Sequence, residues 1–525
     1  MVRFRALVQD NLDRVMKHKA YGKFDLRYRP GMEGIPESYV ADFDCSFYNV
    51  DRYILVSIPG SSASQRFPIE SITEYMGEPY VHGTKRIASD ETMASSTKRP
   101  RERGEAECES MNDNPPEMIP VDHNSDSVSH AGCCSSQSPH PIPEHLLKDK
   151  SEPRFSCMAN VCDAEREFRL HQVVDVLGVI YKSPNDPSLP ELDFTVEVIH
   201  IEPASVVESP AAQVLAPDTV RASLKACLSQ ILLNDETAAE YLLLQLISNR
   251  IEGHEALPTM GSWSLSLSNA DDVELDRLVE FLKSICPSTP VVSFETSNSV
   301  LMTERFYPLR LADAECTSPG MLQLAPKTIV VIDERSLGEG NVNALNVLAI
   351  NKAVREQVLI GIFGDSSCID FPIDLKFIIL NRGRTRSIFE KTNPSTGING
   401  SVPLAHLELR PGQTPSTTSD INMDAARSYI AKAQSMIKDV QISDQIVSRF
   451  QNDWVESRKN DPKIPTDDIH IWATLMRDVA ASFGAGSVSS DHLDSLLSIE
   501  LTRRSRCPEL PSSRGNQDIH AVVGG

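Results

Sequence analysis

The sequence predicts a multidomain α/β protein in consecutive parts, and three observations predict it. Up to about residue 200, short runs alternate apolar and polar residues, the period of half-buried strands. From about residue 219, helical spacing alternates with short continuous apolar runs, the mark of an α/β region. Beyond about residue 420 the spacing is helical. At roughly 150 residues per domain, 525 residues hold two to four domains and a sizeable core.

In chain order, Val2, Phe4 and Ala6 alternate with Arg3 and Arg5, and Tyr53–Ile58 is an apolar run ended by Pro59-Gly60. His171–Tyr181 is apolar and β-branched around Gly178. Leu192, Phe194, Val196 and Val198 alternate with Asp193, Thr195 and Glu197. Some five short strands fit a small barrel of OB type, interrupted by a long insert. That insert has no aromatic residue between Tyr80 and Phe155 and is rich in Ser and Pro, so it cannot bury enough apolar area to offset its ordering entropy. Residues 84–150 are therefore expected to be disordered. Val220–Leu233 and Ala238–Arg250 carry helical spacing, with Asp235 placed to cap the second helix. Trp263, Leu265 and Leu267 mark a strand, Leu275–Ile285 an amphipathic helix and Val291–Phe294 a strand. Ile329–Ile332, Val358–Phe363 and Phe377–Leu380 are continuous apolar runs of the buried, parallel-sheet kind. After a polar linker near 413–419, helices are expected at Ala426–Ile437, Ile446–Val455, Asp467–Ala480 and Asp491–Arg503, with Ser443 and Asp444 as N-cap candidates. The end of the chain, Cys507–Gly525, reads as a frayed tail.

Charge narrows the function. With 51 basic and 73 acidic residues the net charge is −22, and a repulsive field of that size opposes broad binding to nucleic acid. No apolar run nears the ~18 residues needed to span a bilayer. The start, Met1-Val-Arg-Phe-Arg, lacks a secretory apolar region. Eleven scattered cysteines without a CxxC pair suit free thiols in a reducing compartment, so the chain reads as intracellular and soluble.

The string with most chemistry is Ile329-Val-Val-Ile-Asp333-Glu334, four apolar residues followed by two acids. This is the shape of a Walker B element, in which Asp333 would help hold Mg²⁺ and Glu334 would polarise water. The plainer reading is a buried strand whose acidic end reaches solvent. Nucleotide hydrolysis also needs GxxxxGK[ST], whose amides approach the phosphates and whose lysine neutralises charge. That string is absent, and the place expected for it, ahead of the strands, holds the acidic Asn234-Asp-Glu-Thr237. Neither ATP nor a metal is expected as cofactor. Lys85-Arg86, then eleven residues, then Lys98-Arg99-Pro-Arg101-Glu-Arg103 match a bipartite nuclear-import signal that an import receptor would read. Cys133-Cys134 with His130 and His140 fit no tetrahedral zinc spacing. Arg382, Arg384 and Arg386 form a small basic loop, either solvated or facing an acidic partner.

Taken together, several strings resemble the minichromosome maintenance (MCM) complex-binding protein family. They are Val2–Asp10, Ile58–Ser62, Phe168–Pro184, Ala238-Ala-Glu-Tyr-Leu-Leu-Leu-Gln-Leu-Ile-Ser248 and Leu322-Gln-Leu324 with Val331–Glu334. Ile442–Asp444, Arg458–Pro462 and Thr466–His470 complete the set in order. The resemblance implies a non-catalytic relative of MCM helicase subunits. It would have an OB-like β-barrel N-terminal part, a degenerate AAA+/MCM-like α/β core without a P-loop and an α-helical C-terminal lid. Asp467 stands near the place where active subunits put a lid arginine. Members usually carry several dozen residues ahead of the opening strand, and this chain starts almost on it.

The expected organisation is an OB-like domain split between 1–83 and 151–210 around the insert 84–150. An α/β domain at 215–412, a lid at 420–506 and a tail at 507–525 follow. The implied function is a nuclear adaptor that binds MCM subunits and regulates helicase assembly or removal from chromatin, supporting sister-chromatid cohesion. Contact with chromatin would be indirect, without membrane association or sequence-specific DNA binding. The alternatives are a divergent AAA-type nucleotide hydrolase using Asp333 and Glu334, and a single-strand nucleic-acid-binding module.

Overall fold

In a computed structural model of the chain, the described residues are 2–21, 44–59, 70–71, 155–162, 167–181, 192–204, 217–250, 263–310, 316–364, 367–382, 388, 401–403, 422–462, 464 and 468–506. The insert 84–150, the linker near 413–419 and the tail 507–525 lie outside them.

The alternation at the start of the chain becomes strand β1 (Val2–Tyr21). It pairs antiparallel with β2 (Asp44–Val56) and β5 (Val173–Tyr181), and with the two-residue β3 (Glu70–Ser71). Strand β4 (Ser156–Cys162) pairs antiparallel with β2 and parallel with β6 (Phe194–Pro203), and β6 returns antiparallel to β5. The order β2-β4-β6-β5-β1 with β1 back on β2 closes a five-stranded barrel. Phe4, Tyr53, Leu55, Cys157, Val174 and Val196 fill its interior. Gly178 lets β5 and β6 approach closely, since a Cβ there would lie 2.5 Å from Val196 and 2.6 Å from the Glu197 carbonyl. The Tyr53–Ile58 run leaves the strand after Val56, and Ser57 N–H then bonds the Phe155 carbonyl at 3.0 Å.

Helices α1 (Pro217–Ile231) and α2 (Glu236–Ile247) come next. Asp235 caps α2, accepting from the Thr237 and Ala238 amides at 2.9 and 3.0 Å. Five parallel strands then form the central sheet: β7 (Leu265–Ser268), β8 (Val291–Glu295), β10 (Ile329–Asp333), β13 (Lys376–Leu380) and β14 (Ser401–Pro403), in the order β14-β7-β13-β10-β8. The continuous apolar runs are explained by burial on both faces. Ile329, Val331, Ile378 and Leu380 pack under helices, whereas Val330, Ile332, Phe377 and Ile379 face the opposite layer.

The first face carries α1, α2, α3 (Leu275–Ile285) and the C-terminal helices α6 (Met423–Met436), α7 (Asp444–Asn460), α8 (Asp468–Ser482) and α9 (Ser490–Arg506). The second carries α4 (Asn298–Thr303), α5 (Ala344–Glu356) and the barrel. Outward-pointing Leu7, Ile54, Val56, Met158 and Val173 of the barrel share one hydrophobic cluster with Leu322, Leu324, Leu359 and Phe377. Asp10 reinforces that contact, accepting from the Thr317 amide at 2.6 Å and its hydroxyl at 2.9 Å, and the Gln9 side chain donates to Gln323 at 2.9 Å.

Two expectations are corrected. Val358–Phe363 is a strand (β11) but lies outside the parallel sheet. It pairs antiparallel with β12 (Ser367–Pro372) and parallel with the short β9 (Leu309–Arg310). A wholly apolar run signals burial, not the partner. The second concerns Asn234–Thr237, which joins two helices, whereas a phosphate loop must link a strand to a helix. In this sheet the first segment with that geometry is 269–274, between β7 and α3.

Candidate functional site

Parallel strands end in line, so the side chains that close β7, β10 and β13 gather at one edge of the sheet, where ligand sites of open α/β folds form. Asp333 is the last residue of β10 and is 8% exposed. The chain turns immediately, and Arg335 folds back onto it. Its Nε donates to Asp333 Oδ1 at 2.9 Å and its Nη2 to Oδ2 at 2.8 Å, a bidentate pair, while the Arg335 amide adds a third bond at 3.0 Å. The remaining nitrogen, Nη1, donates to the carbonyls of Ala270, Asp271 and Val273 at 3.1, 3.3 and 2.6 Å. Arg335 thus ties the end of the third strand of the sheet to the loop after the first.

The electrostatics of this corner are the reverse of a phosphate cradle. A P-loop turns backbone amides inward, toward an anion. Here the loop presents carbonyl oxygens, and it carries Asp271, Asp272 and Glu274 with no glycine or lysine. Arg382 Nε pairs with Asp271 at 3.0 Å. Burial pushes the Asp333 carboxyl upward, but the Arg335 hydrogen bonds and charge, with a smaller pull from Arg382, outweigh it and hold the group below the ordinary carboxylate range. Arg335 is in turn held more firmly protonated by Asp333. A carboxylate clamped by a guanidinium has both oxygens engaged, so a divalent cation there would have to compete with Arg335.

Glu334, the second acid of the motif, points elsewhere. It is 3% exposed and Oε1 accepts the Ile388 amide at 3.2 Å. Asn381, one residue past β13, donates to Ser266 Oγ at 2.9 Å, and its carbonyl accepts the Ala270 amide at 3.0 Å, fixing the start of the 269–274 loop. The sequence reading brought out Asp333 and Glu334 and missed Arg335, Asn381 and Asp271. The available signal for Arg335 was a lone cation two residues beyond a buried acid.

At the opposite edge of the sheet a second charged pair is sealed in. Lys376 opens β13 and its Nζ donates to the Leu246 carbonyl at 2.6 Å. Asp478 on α8 is wholly buried and accepts from Trp263 Nε1 at 3.1 Å. Burial drives the two away from their ordinary values, Lys376 down to about 8 and Asp478 up to about 7; Cys286 and Asp374 hold back part of the first shift, the Trp263 hydrogen bond and Lys376 part of the second.

The helix Ala238–Ser248 is buried on all sides. The Tyr241 hydroxyl donates to Glu500, Arg221 bonds Glu240, and Gln245 Nε2 donates to the Trp263 carbonyl at 2.8 Å. Lys85, Arg86, Lys98, Arg99, Arg101 and Arg103 lie outside the described residues, as do His130, Cys133, Cys134, His140, Arg384, Arg386 and Asp467. Among the described residues no cluster of three metal-ligating side chains occurs, and no helix is long and apolar enough to cross a membrane.

Fold and corner together define a class: a closed barrel fused to a parallel α/β sheet whose acidic corner is filled by its own arginine, with a helical C-terminal layer. The family model described as mini-chromosome maintenance replisome factor matches residues 194–507, which is more than half of the chain. The chain belongs to that family. A zebrafish (Danio rerio) protein named mini-chromosome maintenance complex-binding protein is 23% identical over 516 residues, 89% of this chain and 78% of the relative. The Arabidopsis thaliana protein of the same name is 23% identical over 548 residues, covering 96% of this chain and 87% of the relative. Its Salmo salar counterpart is 28% identical over 312 residues, 57% of this chain, and there the chain spans about half of the relative's length, 47%.

Proposed function

We propose that this chain is a non-catalytic adaptor that binds MCM helicase subunits and regulates their assembly or removal from chromatin, in support of sister-chromatid cohesion. The observation that carries the reading is Arg335 seated between Asp333 and the 269–274 loop, where a nucleotide's phosphates and metal would have to enter. The names of the relatives supply the partner. Five parallel strands with the acids ending the third support a degenerate AAA-type core, and a five-stranded barrel closed by the parallel β4–β6 pair supports an OB-type one. The hydrolase reading is disfavoured by the Arg335 pairing. The single-strand-binding reading is disfavoured by the barrel's outer face on β1, β2 and β4, which is covered by the α/β body instead of offered to bases.

The test is direct. Purified full-length protein should retain MCM subunits on a column at moderate salt and show no saturable ATP·Mg²⁺ binding by calorimetry. Failure to retain any subunit rejects the adaptor, and tight nucleotide binding rejects its non-catalytic character. Nuclear entry through the basic clusters is a separable proposal. Replacing Lys98, Arg99, Arg101 and Arg103 with Ala should leave tagged protein cytoplasmic, and an unchanged nuclear signal assigns entry to another element.

A further inference from the structure

Ten large apolar side chains are exposed among the described residues, and three of them belong to two neighbouring helices: Met302 at 50%, Leu345 at 41% and Leu348 at 47%. They stand on α4 and α5, which are in contact. The Leu301 carbonyl accepts the Asn343 amide at 3.4 Å and Asn346 Nδ2 at 2.8 Å, and the Glu304 carbonyl accepts Asn346 Nδ2 at 2.7 Å. Leu345 and Leu348 are three apart on a helix and so lie on one face. That face continues to Lys352, which is engaged by Asp370 at 2.9 Å beside the exposed Ile369.

The ground around this stripe is acidic. Glu295 ends β8, Glu304 caps α4, and Glu339 precedes Gly340 in the segment that Asn298 holds through the Gly338 amide at 2.8 Å. Of the cations near it, Lys352 is taken up by Asp370, and Arg305 and Arg355, the latter in the last turn of α5, are partly buried. An apolar stripe rimmed by carboxylates fits a segment with the opposite composition, apolar on one side and basic at its margins.

The stripe is also wired to the arginine-filled corner. Residues 334–343 run from Asp333 to the cap of α5, where Asn343 accepts the Leu345 amide at 2.9 Å. The Arg335 bonds anchor one end of that run and the Asn343 cap the other, so the corner fixes where α5 presents its leucines.

We infer that Met302, Leu345 and Leu348 form the surface on which a basic, apolar-faced segment of an MCM subunit docks, and that the Arg335 clasp positions it. The inference rests on the adaptor reading and goes beyond it in naming the surface. The experiment titrates purified MCM subunits onto the immobilised full chain. Leu345→Glu with Leu348→Glu should weaken binding tenfold or more, and Arg335→Ala two- to fivefold. Val447→Glu with Val455→Glu, an equally exposed pair on α7, should change it less than twofold. The two double variants lie at exposed sites, and matching unfolding midpoints show that their fold is kept. If the wild-type chain binds no subunit, the adaptor reading falls and this surface with it. If the wild type binds and the Leu345/Leu348 double variant binds equally well, the surface is wrong while the adaptor reading stands. Loss of self-association instead of subunit binding in that variant assigns the stripe to a second copy of the chain and overturns the proposal.

Discussion

The two edges of the central sheet each hold an aspartate beside a cation, and the two aspartates shift in opposite directions. At the C-terminal edge Asp333 meets a guanidinium through two parallel bonds plus a backbone amide, and its carboxyl is held low. At the N-terminal edge Asp478 receives a bond from the indole of Trp263, Lys376 donates to the Leu246 carbonyl, and burial pushes the carboxyl up to about 7. Distance along the sheet is irrelevant to the difference. What decides it is whether the counter-charge is bonded to the carboxylate itself or merely shares its low-dielectric surroundings.

The largest expected effect comes from breaking the buried edge. Asp478→Ala leaves the buried Trp263 indole without its acceptor and removes a carboxylate from the surroundings of Lys376, a loss of about 2–3 kcal/mol. Urea unfolding measures it, and a loss under about 1 kcal/mol would mean the pair contributes little. Breaking the other edge costs less, because its partners lie nearer solvent. Arg335→Ala should lower stability by about 1–2 kcal/mol. It should also raise amide exchange in 269–274 and 334–343 ahead of the rest of the sheet, whereas uniform exchange would deny the clasp a local role.

The smallest effect is a change of slope with pH. Asp478 binds its proton more tightly folded than unfolded, so its contribution is full below about pH 4 and is lost as pH rises toward about 7. Asp478→Asn cannot titrate and should flatten the stability profile across that window. An unchanged slope would place the titration on other groups. Asp333 has the opposite sign, with stability present above its unfolded value and lost in acid, so Asp333→Asn should alter the profile only below about pH 4.

Local signals carried much of this fold. Leu275–Ile285 is helical over the span its spacing predicts, Asp235 caps as its chemistry requires, and the Ile329–Ile332 run is a strand buried on both faces. Pairings were beyond reach. Val358–Phe363 reads like its parallel neighbours but joins Ser367–Pro372, a strand whose Ser-Cys-Ile-Asp-Phe-Pro sequence has no clean alternation. Helix Ala344–Glu356 was overlooked, since its exposed Leu345 and Leu348 blur the amphipathic period. The candidate corner was half legible: the acids stand out in sequence, but nothing along the chain says that Arg335 doubles back or that the loop after β7 turns its oxygens toward it.

The seam beside Asp10 bears on how this protein can be taken apart. Because Leu7, Ile54, Val56 and Met158 reach out of one element group into the hydrophobic cluster of the next, neither half has a finished skin of its own. A fragment cut between 204 and 217 would show water a greasy flank, and the piece left behind would do the same. Deletions aimed at separating the roles of the two halves will therefore report on solubility before they report on biology, and point changes at the surface are the sharper instrument.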